Sequence, residues 1–377
     1  MDLDLSQEHE LLRNTVREFA TERVAPVADE LDRESRFPYE LVAEMAELGL
    51  MGIPIPEEYG GAGSDTLAYA IAIEELTRID SSVAITVAAH TSLGTMPIFL
   101  YGTDEQKSEW LPQLASGQKL AAFGLTEADA GSDAGATRTR AEERDGQWIV
   151  NGSKIFITNA GTDISACVTI TALTGEGEVS NVIVPNGTPG YTISPPMHKL
   201  GWHASDTREL SFKDVAVPEG NLLGERGRGF IQFLEILDGG RISVAAMGVG
   251  LAQGAYDLAY AYAQDRRQFG KPISSFQAVQ FKLADMATEI EAGRALVYRA
   301  AWLKDQGRPF ALAAAQAKLY TGELSNRVVN ASLQMHGGYG FMEESAIARL
   351  YRDQKVLEIG EGTNEVQRMV IAKHLGL

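Results

Sequence analysis

Apolar residues in the first hundred positions return at spacings of three and four. Leu12, Val16 and Phe19, flanked by Leu11 and Thr15, lay one apolar face along a first helix. Pro38 opens a second, since its missing N–H is not needed in a first turn, and Gly49 closes it. The Gly- and Pro-rich run 52–63 reads as a loop. Residues 65–79 and 82–101 read as two further helices, the second apolar on nearly every side and therefore buried. Near Leu120 the pattern changes. Short β-branched runs follow at 148–150, 154–158, 166–171, 181–184, 191–194 and 209–212, and the dipeptides Asp145-Gly146 and Asn151-Gly152 carry the signature of tight hairpins. From Phe230 the chain is helical again, in three long Ala- and Leu-rich segments, 230–266, 276–305 and 310–335. The order predicts an α+β fold in three domains. They are an N-terminal helical domain (1–119), a central antiparallel β-barrel or sandwich (120–229) and a C-terminal long-helix domain of the four-helix-bundle kind (230–377).

Composition narrows the function without choosing it. A chain of 377 residues, 45% hydrophobic and 22% charged, has room for two or three domains. Its formal charge of −18 argues against a nucleic-acid partner, which needs basic stripes. A small phosphorylated ligand must then be met by particular Arg and Lys side chains. The single cysteine, Cys167, sits in a strand-like run as a packed thiol and fits a reducing, cytoplasmic location. The acidic start Met1-Asp2-Leu3-Asp4-Leu5 resembles neither a secretory signal nor a transit peptide. No 18 consecutive apolar residues occur, so no membrane partner is expected. The six His are scattered without metal-ligand spacing, so no metal is expected, and the Gly-rich fingerprints of dinucleotide and P-loop sites and the G-x-S-x-G elbow are missing.

What remains is a carboxylate in an unusual setting. Between helix-forming runs at 351–357 and 366–375 lies Ile359-Gly360-Glu361-Gly362-Thr363-Asn364-Glu365-Val366-Gln367. Two glycines bracketing one Glu disfavour a continuous helix, at ~1 kcal/mol each. Asn364 with Gln367 three residues on has the form of a helix start, which leaves Glu361 in the turn before it. Such a Glu is either a solvated turn residue or a base held over a pocket, with flanking backbone able to approach a ligand closely.

Four stretches bear on that choice. They are Phe123-Gly124-Leu125-Thr126-Glu127-Ala128-Asp129-Ala130-Gly131-Ser132-Asp133; Asn151-Gly152-Ser153-Lys154-Ile155-Phe156-Ile157-Thr158-Asn159; Asp265-Arg266-Arg267-Gln268-Phe269-Gly270-Lys271-Pro272 with Gln277 beyond; and Gln334-Met335-His336-Gly337-Gly338-Tyr339-Gly340 running on to Glu361-Gly362-Thr363. In this order and spacing they resemble the acyl-CoA dehydrogenase family, most closely its short-chain, butyryl-CoA-like branch, over essentially the whole chain.

The resemblance implies FAD as cofactor and α,β-dehydrogenation of an acyl-CoA thioester to the trans-2-enoyl product. Glu361 would be the general base. Phe123, Leu125, Thr126, Gly131 and Ser132 would line FAD, and Phe156, Ile157 and Thr158 would cover one face of the flavin, with Thr158 near N5. Arg266, Phe269, Gln277, Gln334, Gly337 and Gly338 would reach the pyrophosphate and adenine of FAD held by a neighbouring subunit, with Thr363 and Glu365 also at the cofactor. Ser132, Asp238, Arg241, Gly360 and Gly362 would contact substrate. A homodimer would be the least functional unit, relatives being dimers of dimers, and an electron-transferring flavoprotein would take the electrons. Taken singly, Phe156 reads equally as core, Arg266 as a solvated helix end and Arg241 as the partner of a buried carboxylate.

Two departures from the family pattern matter, at Ala128 and Gly360, and Gly240 bears on which branch the chain resembles. Ala128 replaces a common proline. Gly240, just before Arg241, offers no carboxylate where one branch of the family carries its base, which favours Glu361. Gly360 stands where close relatives have Tyr, so the pocket should be larger by roughly 100 Å³, of the order of an engineered cavity, and take branched or cyclic acyl groups. Two other functions stay open: an oxidase passing electrons to O2, and a flavin-binding scaffold without turnover.

Overall fold

The computed structural model describes residues 4–377; residues 1–3, which open the acidic N-terminal run and the first expected domain, lie outside the described residues. Helix α1 (Gln7–Phe19) buries Val16 and Phe19, and Ser6 caps it by accepting from His9 N–H at 3.2 Å. A π turn (Ala20–Val24) leads into α2 (Ala25–Glu34), followed by α3 (Tyr39–Glu47). Asp65 caps α4 (Thr66–Thr77), its carboxylate accepting from Ala68 N–H at 2.7 Å. A second π turn (His90–Thr95) joins α5 (Ser81–Ala89) to α6 (Met96–Tyr101), and α7 (Asp104–Ala115) completes the helical part. The run Ser81–Tyr101 is long and apolar enough to cross a membrane by length and average composition, although it holds no 18 consecutive apolar residues. Thr, Ser and His break the run without lowering its average much. Most of it is buried inside the protein.

The middle part is one sheet of eight strands: β1 (Leu120–Gly124), β2 (Arg140–Arg144), β3 (Gln147–Thr158), β4 (Ser165–Gly175), β5 (Glu178–Pro185), β6 (Tyr191–Ile193), β7 (Thr207–Pro218) and β8 (Leu222–Leu223). Their order is β6-β7-β3-β2-β4-β5-β8, with β1 alongside β4. The expected antiparallel barrel or sandwich is therefore corrected to a mixed sheet, because β1 and β2 both meet β4 in parallel. Parallel neighbours need a long return connection, and here the β2–β3 hairpin supplies it in place of a helix. Asp145-Gly146 makes that hairpin's turn, with φ of 51° and 76°. Asn151-Gly152 does not turn the chain. It lies inside β3 at a register shift, where a Cβ on Gly152 would stand 2.5 Å from Thr139 Oγ1.

Helix α8 (Gly229–Asp265) runs 37 residues and ends at a small hairpin, β9 (Arg267–Gln268) and β10 (Lys271–Pro272). Then come α9 (Gln277–Asp305), α10 (Ala311–His336), α11 (Ala346–Asp353) and α12 (Asn364–His374). Helices α8, α9 and α10 pack on one another, α12 lies on α10, and α4 packs against both α8 and α9. One hydrophobic core thus runs from Val16 and Tyr69 of the N-terminal helices to Val249, Val297 and Val329 of the C-terminal ones. The sheet keeps a core of its own around Trp148, Ile170 and Leu210.

A buried ionic network joins all three parts. Asp353 of α11 accepts from Ser81 Oγ at 2.6 Å and from the Trp202 backbone N–H at 2.7 Å. Arg349 faces Asp80 at 3.3 Å, and Arg352 pairs with Asp32 of α2, which also lies 3.0 Å from His203. Burial, with Asp80 close by, pushes the Asp353 carboxyl up to about 6.

Candidate functional site

The glycine-flanked carboxylate sits where three helices meet. After a 3₁₀ turn (Gln354–Glu358), Glu361 takes a left-handed φ of 51° and Gly362 one of 87°. For a residue with a side chain that conformation costs ~1–3 kcal/mol and persists only when the surroundings enforce it. Thr363, rather than the expected Asn364, caps α12 by accepting from Val366 N–H at 3.2 Å. Gln367 turns back instead. Its amide donates to the carbonyls of Glu361 at 3.2 Å and Gly362 at 2.9 Å, bracing the reversal.

The turn aims the Glu361 side chain inward. Although the residue is partly exposed, its Oε2 is buried and has no hydrogen-bond partner. Burial pushes the carboxyl up to about 7, against the pull of Arg241 on α8 and Lys318 on α10. Arg241 is buried and pairs with Asp238 one turn back, leaving its Nε without a partner. Gly240 lies directly beneath the carboxylate: a Cβ there would come 2.3 Å from Glu361 Oε2. Since that atom ends a flexible side chain, Gly240→Ala should leave the melting temperature almost unchanged while moving the carboxylate by about 1 Å. A misplacement of that size would slow any reaction that uses the carboxylate by about 100-fold, which a comparison of single-turnover rates in the two chains would read.

The second group of expected site residues approaches α8 from the sheet. Phe123 stacks on Phe233 of α8 at 6.0 Å, and Leu125 packs against the same cluster, which includes Ile236 one turn before Gly240. Phe123 and Ile157 are buried in hydrophobic cores, so only their backbone groups can face a ligand. Phe156, in contrast, has φ 63° at a register shift in β3 and is 61% exposed, and Thr158 ends the strand half-buried. Gly131 and Ser132 are exposed, and a Cβ on Gly131 would meet nothing within 4 Å.

A buried ion pair fixes this loop. Lys154 Nζ donates to Glu127 Oε1 at 2.7 Å and to the Leu125 carbonyl at 3.1 Å. Glu127 also accepts from Thr137 Oγ1, from Arg138 N–H at 2.7 Å and from Thr139 N–H at 3.0 Å. Burial alone would raise the Glu127 pKa, but the bonds from Lys154, Thr137 and Arg138 hold it at about 2. Both residues lie in the quoted motifs, where the resemblance assigns them no role. The signal was available: Lys154 stands on the inward side of β3 among Val150 and Ile157.

The third group lies elsewhere. Arg266 stands over the Tyr339 ring at 5.5 Å, beside Gln334, Gly337 and Gly338 at the end of α10. A Cβ on Gly337 or Gly338 would meet nothing within 4 Å, so backbone is open to a ligand there. Phe269, at φ 53° on the hairpin tip, is 91% exposed, and Gln277 is exposed at the start of α9. Arg266 directly follows α8, on which Asp238 lies about 40 Å back at 1.5 Å per residue. Within one chain the structure does not bring this group to Glu361. Glu365 is exposed on the first turn of α12.

Comparisons with known proteins agree in every part of the chain. Three family models match: the acyl-CoA dehydrogenase N-terminal domain over residues 6–118, middle domain over 122–215 and C-terminal domain over 227–376. A probable acyl-CoA dehydrogenase of Bacillus subtilis, YngJ, is 50% identical over 100% of both chains. Butyryl-CoA dehydrogenase of Megasphaera elsdenii superposes with a TM-score of 0.97 at 43% identity, covering 100% of each chain. A chain from a structure of the electron-transferring flavoprotein of Acidaminococcus fermentans, concerned with flavin-based electron bifurcation, matches with the same score and identity over 100% of this chain and 99% of that one.

Proposed function

Because this chain belongs to the acyl-CoA dehydrogenase family of FAD-dependent oxidoreductases, we propose that it oxidises a short or branched acyl-CoA at the α,β-bond, with Glu361 as the base. The observation that carries the proposal is the Glu361 carboxylate: turned inward at the left-handed pair Glu361-Gly362, without a hydrogen-bond partner at Oε2, and poised at about 7. A base near the working pH combines the ionised form with useful proton affinity.

The residues fit FAD. Unfilled backbone at Gly131, Gly337 and Gly338 leaves room for a dinucleotide, Arg266 presents a fork suited to pyrophosphate, and exposed Phe156 offers an aromatic face. FAD, when bound, supplies the acceptor for the hydride leaving the β-carbon. Glu361 takes the α-proton, and its own backbone N–H donates to the thioester oxygen as negative charge develops there. The acyl chain displaces water from Glu361 as it enters, which keeps the base's pKa high. Asp238 and Arg241 hold the substrate end of α8 beneath it. The distance along α8 supports a second copy supplying Arg266, Phe269, Gln277, Gln334, Gly337 and Gly338 to the cofactor of the first, hence a homo-oligomer. Electrons pass on to an electron-transferring flavoprotein.

A panel of acyl thioesters, scored by anaerobic bleaching of the bound flavin, tests the reaction. Colourless protein, or flavin that no thioester bleaches, would overturn it, and hydrogen peroxide from an aerobic assay would point to an oxidase. Gly360 sets the expected winner. It has an ordinary negative φ, and a Cβ there would meet nothing closer than Val356 O at 3.4 Å, so the backbone does not require glycine. Branched or ring-bearing acyl groups should turn over faster than butyryl, and Gly360→Tyr should reverse the order by about 10-fold or more.

A further inference from the structure

We propose that Lys318 is the positioning residue for this base: from the middle of α10 it holds the Gly362 carbonyl, and its charge supports Glu361 as an anion without touching it. The inference rests on Glu361 being the base.

Lys318 is 1% exposed, among the most deeply buried large side chains of the protein. A lysine so placed is costly unless its charge is matched. Its Nζ donates to the Gly362 carbonyl at 2.8 Å and to Asn364 Oδ1 at 3.3 Å, and both acceptors are neutral. Among the described residues it makes no ion pair within 4 Å. Lys154, the other buried lysine, sits directly on a carboxylate at 2.7 Å. The contrast is chemical. An ammonium bonded to Glu361 would fix it as a weak base, whereas one bonded to the next carbonyl leaves both oxygens free and still contributes its field. Gln367 donates to the same Gly362 oxygen, so two donors set that peptide plane and, through it, the left-handed turn at Glu361.

Glu361 feels Arg241 on α8 and Lys318 on α10 and acts in turn on Tyr69 of α4, while Asp238 faces Arg241, and Glu358 and Glu365 face Lys318. Arg241 is already paired with Asp238, which leaves Lys318 as the nearby cation without a carboxylate of its own. The coupling is reciprocal: burial lowers Lys318 to about 8, and Glu361 is the largest charge opposing that fall.

The test is the pH profile of kcat/KM for flavin-loaded variants, with the thioester that bleaches best. Lys318→Gln keeps a donor for Gly362 and loses the charge. Its acid limb should move up by about one unit or more, the effect of removing one nearby opposite charge, with plateau kcat falling less than in Lys318→Met. Lys318→Met should show the same shift and lose about 10-fold in plateau kcat as well. Should Lys318→Met fail to fold, Lys318→Gln carries the test alone, and an unmoved acid limb overturns the proposal. A second readout needs no turnover: the melting-temperature difference between Glu361 and Glu361→Gln chains, followed across pH with Lys318 and with Lys318→Gln. The pH at which that difference develops should rise by the same amount in the Lys318→Gln pair. An unchanged curve rejects the role of Lys318, whereas turnover surviving in Glu361→Gln rejects the base and leaves this curve readable.

Discussion

Glu361→Gln should lower turnover by about 10³-fold or more while flavin content stays at the parent level, since a positioned general base contributes ~10²–10⁴-fold. Gln keeps the shape and the left-handed turn but cannot take a proton. The same substitution should raise the stability of the unliganded protein. The folded carboxyl titrates at about 7 against an ordinary 4.5, so the unfolded chain ionises first as pH rises. The group's contribution to stability is intact below about pH 4.5 and is lost as pH climbs to about 7. By pH 8 the ionised Glu361 costs about 3 kcal/mol, converted at ~1.4 kcal/mol per unit. Thermal scans should therefore show Glu361→Gln matching the parent near pH 4.5 and melting higher at pH 8. Equal melting curves at both pH values would mean the carboxylate is better solvated than its buried oxygen implies.

Lys154→Met should destabilise the protein by about 3–5 kcal/mol, as expected when one half of a buried pair is removed. Glu127 would keep its bonds from Thr137, Arg138 and Thr139 but lose the charge that matches it. The loop carrying Gly131 and Ser132 is closed by those bonds, so purified Lys154→Met should also retain less flavin. Lys154→Met combined with Glu127→Gln should recover part of the stability, because no uncompensated charge remains. Denaturant midpoints of the two variants measure the difference. A single variant as stable as the parent would make the pair incidental.

The helical segments were legible because their apolar positions recur at helical spacing, and Glu361 stood out because two glycines isolate it. The sheet was read less well. Asn151-Gly152 has the composition of a turn, but its glycine serves close contact with Thr139, a use that local composition cannot separate from turning. The parallel pairing of β1 with β4 depends on strands more than forty residues apart. Lys318 was missed for a subtler reason. It is one of three charges, with Glu323 and Arg327, in an alanine-rich helix and resembles a solvated face until its neighbours three and seven residues on, Thr321 and Ser325, are seen to be buried too. Side-chain periodicity held that clue, but only the fold shows that the helix turns this stripe towards another chain segment.

The Asp353 network has a bearing on how the protein can move. Because α2, the start of α5, the Trp202–His203 bend and α11 share one set of buried charges, no lobe can swing aside without stranding a carboxylate or a guanidinium. Calorimetry should accordingly record a single endotherm rather than one for each lobe. The three lobes are thereby welded into one cooperative body, with the weld lying in charges rather than in apolar packing alone.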